Sequence, residues 1–89
     1  MDKQNASRIF KALSDPTRLK IVECLREGEI CACWFTQCTG KAQPTVSQHL
    51  RILENAGIIG FRKERKSILY RLKDRKILKL IQIAKEVQK

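Results

Sequence analysis

The order of apolar spacings along this chain predicts a mainly α domain carrying one β-hairpin near its C-terminal end. Three observations support that expectation. Two helical patterns open on proline, at Asp15-Pro16 and at Gln43-Pro44, and each is closed by a glycine, Gly28 and Gly57. Beyond Gly57 the spacing changes from helical to alternating, through Ile58, Ile59 and Phe61 and then Ile68, Leu69, Tyr70 and Leu72, around a charged stretch. At 89 residues the chain can support one core and not two, so residues 1–89 are read as a single domain.

The elements follow in order. Ala6, Ile9, Phe10 and Leu13 form an apolar stripe on a first helix that breaks over Ser14 to Pro16. Asp15 is suited to cap the second helix, where Leu19, Val22 and Leu25 recur at helical spacing until Gly28. A short third helix is expected from about Ala32 to Thr39, with Gly40 turning the chain. Gln43 to Ala56 makes the fourth, with Val46, Leu50, Leu53 and Ala56 on one face. The hairpin has a basic tip, Arg62-Lys63-Glu64-Arg65-Lys66. Asp74 caps a last helix through Ile77, Leu78, Leu80, Ile81, Ile83, Ala84 and Val87. That helix has more apolar positions than one face of a small domain needs, which implies a second copy paired through the terminal helices.

Lys and Arg number 19 against 9 Asp and Glu, a formal charge of +10. Such an excess points to a polyanionic partner, above all nucleic acid, because each phosphate neutralised releases condensed counterions. No stretch approaches the roughly 20 apolar residues of a spanning helix. The start Met1-Asp2-Lys3-Gln4-Asn5 has no signal-peptide core, so the expectation is a cytoplasmic protein without a membrane partner. Four cysteines, Cys24, Cys31, Cys33 and Cys38, fall within fifteen residues. In a reducing compartment such clustering reads as ligand or redox chemistry before a disulfide framework, although free cysteine is also a small core residue.

Helix, glycine turn, helix and basic hairpin is the order of a winged helix-turn-helix, whose second helix enters the major groove of double-stranded DNA. Gln43, Thr45, Ser47 and Gln48 offer short donors and acceptors to base edges and phosphates, and Arg51 can fork onto guanine or phosphate. His49 suits packing or capping as well as base reading. Arg62, Lys63, Arg65 and Lys66 would position the protein on the DNA backbone without specifying sequence. Their alternative is a merely solvated loop, as Thr45 and Ser47 could merely satisfy the first helical turn.

The runs Phe10-Lys11-Ala12-Leu13-Ser14-Asp15-Pro16-Thr17-Arg18-Leu19 and Gln43-Pro44-Thr45-Val46-Ser47-Gln48-His49-Leu50-Arg51 resemble the ArsR/SmtB family of dimeric winged-helix repressors. The likeness extends from about Ala6 to Leu72 and implies an operator-binding homodimer whose DNA affinity falls when an effector binds. Glu29-Ile30-Cys31-Ala32-Cys33 is similar to the family's thiol-sensor pattern, which implies Cys31 and Cys33 as ligands for As(III) or Sb(III), or for Cd(II) or Pb(II). Trp34 stands where that motif commonly has an acidic residue, and Thr36 where the arsenite type has its third cysteine. Cys38 could substitute as third ligand or be a buried apolar residue. Cys24 reads as a core residue beside Leu25. Two sulfurs at i and i+2 are expected to share an ion only after backbone distortion. Zinc sensing through the last helix is disfavoured, since His49 is the one histidine.

Three other readings stay open at this level: a thiol-redox-responsive regulator, a winged-helix regulator with no small ligand, and a basic RNA-binding or assembly protein. An enzyme is disfavoured, because one histidine and scattered carboxylates offer no acid–base pair and no nucleophile with its base.

Overall fold

Side chains that satisfy free backbone groups mark the helix boundaries. In a computed structural model describing residues 2–87, α1 spans Asp2–Leu13 and stops where the Ser14 hydroxyl donates to the Lys11 carbonyl at 2.7 Å. Asp15, in extended conformation, caps α2 (Pro16–Cys24) by accepting from Thr17 N–H at 2.8 Å and Arg18 N–H at 3.2 Å. The helix ends at Cys24, ahead of Gly28, and fully buried Leu25 continues the apolar stripe in a turn.

The expected third helix is two pieces. A two-residue strand, β1 (Ile30–Cys31), leads into a 3-10 turn over Ala32–Trp34 and then into α3 (Phe35–Thr39). Phe35, with no exposed surface, anchors this segment and meets the Tyr70 ring edge-on at 5.8 Å. Gly40 closes α3 with φ of 71°, a left-handed geometry that glycine adopts without strain. α4 (Gln43–Asn55) buries Val46, Leu50 and Leu53, as its spacing predicts.

β2 (Ile59–Glu64) and β3 (Ser67–Leu72) form the hairpin, in register from Ile59 opposite Leu72 to Glu64 opposite Ser67. Arg65 and Lys66 are left as the turn. β1 joins the other edge of β3, Ile30 opposite Tyr70 and Cys31 opposite Leu69, giving the antiparallel order β1-β3-β2. The sequence reading has no counterpart of β1, since two residues carry no alternation to detect.

α5 (Lys76–Val87) begins where Asp74 accepts from Lys76 N–H at 2.9 Å, the expected cap. It leans on α2 through Ile77 and Ile81, a Lys85–Glu23 ion pair, and an Arg75 guanidinium that donates to the Arg26 carbonyl at 2.8 Å. One core joins all the helices to the sheet, centred on Ile21, Val22, Leu25, Phe35, Val46, Leu53, Ile58 and Ile59. Full burial of side chains of this size is worth about 1.5–3 kcal/mol each. Outside it, Phe10 on α1 and Ile83 and Val87 on α5 stay exposed. Among the described residues no helix is long and apolar enough to cross a membrane.

Candidate nucleic-acid interface and thiol pair

The face of α4 opposite its buried stripe is polar. Gln43, Ser47, Gln48 and Arg51 are exposed, and Thr45 is half-buried. The Gln43 amide donates to the Ser47 hydroxyl at 3.2 Å, so these two side chains hold each other one turn apart. Ala42, the residue before the helix, offers no side-chain cap, and Pro44 has no N–H. Donors in the first turn of α4 therefore remain available to an anionic partner.

His49 sits differently from its neighbours. It is half-buried, and its Nδ1 lies 3.1 Å from the Arg18 Nη1, which donates to it. The same guanidinium donates through Nε to the Ala12 carbonyl at 2.6 Å. Arg18 thus links the end of α1 to the middle of α4 through the His49 Nδ1. Arg18 was absent from the candidates drawn from sequence; its partners lie 6 and 31 residues away, beyond any local signal. Beside it, Arg8 and Lys11 of α1 and Asn55 of α4 line a basic groove of about 740 Å³.

In the hairpin, Lys63, Arg65 and Lys66 are exposed and unshared by any ion pair among the described residues. Arg62 is placed otherwise. Its Nε and Nη2 donate to both oxygens of Glu29, at 2.8 and 2.9 Å, with Glu64 at 3.4 Å. The hydrogen bond of this fork holds the Glu29 carboxyl below the usual carboxylate range against the opposing desolvation, and the charges of Arg62 and Arg71 add to it. Arg62, expected at the DNA backbone, is engaged with the segment that precedes the cysteines.

Cys31 ends β1 and Cys33 lies in the 3-10 turn, and their Sγ atoms stand 2.9 Å apart. The change from strand to turn between them brings both sulfurs to one side, which is the backbone distortion expected of an i, i+2 pair. Cys33 donates to Cys31. That bond, with the Cys33 backbone N–H and the Ser67 hydroxyl, holds the Cys31 thiol below the ordinary range despite some desolvation, while the same bond pushes Cys33 up. The same hydrogen bond thus favours loss of a proton from Cys31 over loss from Cys33.

Cys38, read as a possible third ligand or a buried apolar residue, is placed away from the thiol pair. On α3 it faces α2 and is disulfide-bonded to Cys24, so neither sulfur is available as a thiolate beside Cys31 and Cys33. Cys24 also packs against the core as a half-buried side chain, so its expected core role stands beside the bridge. An open cavity of about 600 Å³ separates the two sulfur pairs, lined by Ile30, Cys31, Trp34 and Gln37 and by the bridge itself. Among the described residues no three or more His, Cys, Asp or Glu side chains converge as a metal site. Two close thiols suit a soft, thiophilic centre; they fall short of the three thiolates that arsenite takes and the four ligands usual for cadmium or lead.

Comparison with known proteins fits this geometry. Residues 15–60 match the bacterial regulatory protein arsR family. An uncharacterised HTH-type transcriptional regulator of Methanocaldococcus jannaschii is 41% identical over 85 residues, covering 94% of this chain and 96% of that one. The cadmium resistance transcriptional regulatory protein CadC homologue of Staphylococcus aureus is 43% identical over 86 residues, covering 92% of this chain and 71% of its own. Among solved structures, the homodimeric winged helix-turn-helix DNA-binding domain Mb0332 of Mycobacterium bovis superposes with a TM-score of 0.84 at 27% identity, covering 96% of this chain and 79% of that one.

Proposed function

The chain belongs to the arsR family of bacterial regulatory proteins, and from that premise we propose that it is a homodimeric repressor released from operator DNA by a thiophilic metal or metalloid at Cys31 and Cys33. The row Gln43, Ser47, Gln48 and Arg51 carries the DNA half of this reading: exposed polar groups on a helix whose other face, Val46, Leu50 and Leu53, is locked into the core. Thr45 and the free N–H groups of the first turn take phosphate. Lys63, Arg65 and Lys66 reach the flanking backbone, and His49 serves chiefly to orient α4 through Arg18. The exposed apolar residues Phe10, Ile83 and Val87 belong to the dimer face, by analogy with the homodimeric relative.

The sensor half rests on where the pair sits. Cys31 is paired with Leu69 of the wing, and Cys33 lies in the turn that leads into α3, the helix before the reading helix. Whatever joins the two sulfurs constrains both routes to DNA. The relative from Staphylococcus aureus is named for cadmium resistance, which supports a soft effector.

The decisive measurement is binding to an operator selected from random duplexes, with each effector added in turn. Gln48→Ala or Arg51→Ala should lose about 1–3 kcal/mol on the operator with the dimer intact; an equal loss on random DNA would show that α4 does not read sequence. Cadmium, lead or arsenite should displace the DNA, and continued response in a Cys31→Ser, Cys33→Ser double variant would exclude this site. The bridge between α2 and α3 favours a second reading, a redox regulator. In that case dithiothreitol alone, with no metal, should change operator affinity.

A further inference from the structure

Arg8, Lys11 and Arg18 converge on the groove between α1 and α4, and no carboxylate stands among the residues that line it. Like charges gathered in one concavity repel, and among the described residues neither Arg8 nor Lys11 has an ion pair to offset this. The Asp15 carboxylate, which feels the Arg18 charge, is spent on the backbone donors that open α2. Arg18 itself uses one N–H on the Ala12 carbonyl and one on His49, so three of its five N–H groups have no partner among the described residues. The groove is thus built for an anion.

Its position favours one anion in particular. Asn55, on the groove wall, follows Gln48 by seven residues and Arg51 by four, which places all three in one row along α4. The groove therefore opens where the proposed reading face ends. On α1, Arg8 lies on the opposite side of the helix from Phe10, because two residues turn the chain by about 200°. Pairing of two copies through Phe10 leaves Arg8 uncovered. Ile52, exposed beside Asn55, adds an apolar wall suited to a sugar face.

We propose that Arg8, Lys11 and Arg18 clamp the sugar–phosphate backbone of double-stranded DNA just past the bases that face α4, extending the contact from the reading helix onto α1. This rests on the reading of α4 as the helix that faces DNA. Each contact neutralises a phosphate and releases counterions, so the clamp acts on every sequence alike and fixes position without specifying bases. Arg18 enters it pre-organised, its side chain already held by Ala12 and His49.

The test titrates the full chain onto a selected operator and onto random duplex across a salt series, for the wild type and an Arg8→Ala, Lys11→Ala double variant. Arg18 is left in place, since its removal would also release His49. Both substituted residues are exposed, so the melting temperature should not change. The double variant should bind both duplexes at least roughly tenfold more weakly at low salt, keep the ratio of operator to random affinity, and lose about two from the slope of log affinity on log salt for each half-site. Ethylation of single phosphates locates the contact: modification beyond the bases protected by α4 should interfere with the wild type and leave the double variant indifferent. Unchanged affinity and slope, a loss confined to the operator, or the same interference pattern in both proteins would overturn the proposal. Failure of the α4 reading registers separately, as equal losses on operator and random DNA in Gln48→Ala or Arg51→Ala, and the clamp is still decided by the double variant on random duplex.

Discussion

Asp15 and Arg65 show how single residues set the terms for the elements around them. The Asp15 carboxyl is held below its ordinary value of 3.8: partial burial opposes ionisation, but the backbone donors of Arg18 and Thr17 outweigh it, with His49 and Arg18 adding to them. A folded value below the unfolded one means that the stabilisation is present above the unfolded value and is lost as pH falls through the folded one. Asp15→Ala should therefore cost about 1 kcal/mol near neutrality and flatten the acid side of a stability profile, as urea titrations from pH 7 to pH 2 would reveal. At the wing tip, Arg65 has φ of 57°, in the left-handed region that a long side chain tolerates poorly. Arg65→Asn keeps the turn with a residue at home there and should raise stability by roughly 0.5–1 kcal/mol while weakening DNA binding and its salt dependence. Opposite signs in melting and in DNA titration are the expected signature.

Among the elements, the wing is tied to the cysteine segment by a strand pairing and an ion pair. Glu29 holds the Arg62 fork, yet both side chains are substantially solvent-exposed, so the contact adds little to stability. Glu29→Gln should leave the melting temperature nearly unchanged and free Arg62 for phosphate, tightening binding to random DNA and steepening its dependence on salt; unchanged DNA affinity would show that Arg62 is not limited by Glu29. These same elements show what the amino-acid order disclosed. The helices opening at Asp15-Pro16 and Gln43-Pro44 were legible because cap, proline and apolar spacing all agree. The wing was legible because alternation is a strong signal over six residues. β1 was not, since two residues have no period, and the splitting of the third helix followed from the same blindness. The cysteines were legible as a cluster but not as pairs: the partner of Cys38 is fixed by how α3 lies on α2, a tertiary fact.

At the scale of the molecule, the formal charge of +10 and the uncovered apolar residues of α1 and α5 pull in different directions. Like charges resist bringing two copies together, so in the proposed homodimer the terminal helices supply the attraction. Ile83→Lys, at a position already 57% exposed, should leave the monomer folded by circular dichroism, convert a dimer to a monomer in sedimentation equilibrium, and lower affinity for a two-half-site operator by at least tenfold. A variant that stays dimeric would place the interface elsewhere. The pairing of β1 with β3 has a further consequence, thermodynamic in kind. If filling the thiol pair lowers operator affinity by some factor, linkage requires operator DNA to lower effector affinity by that same factor. The threshold for response is then not a constant of the protein: it rises with the number of binding sites the chromosome offers, so a cell with more operators would answer the same dose later.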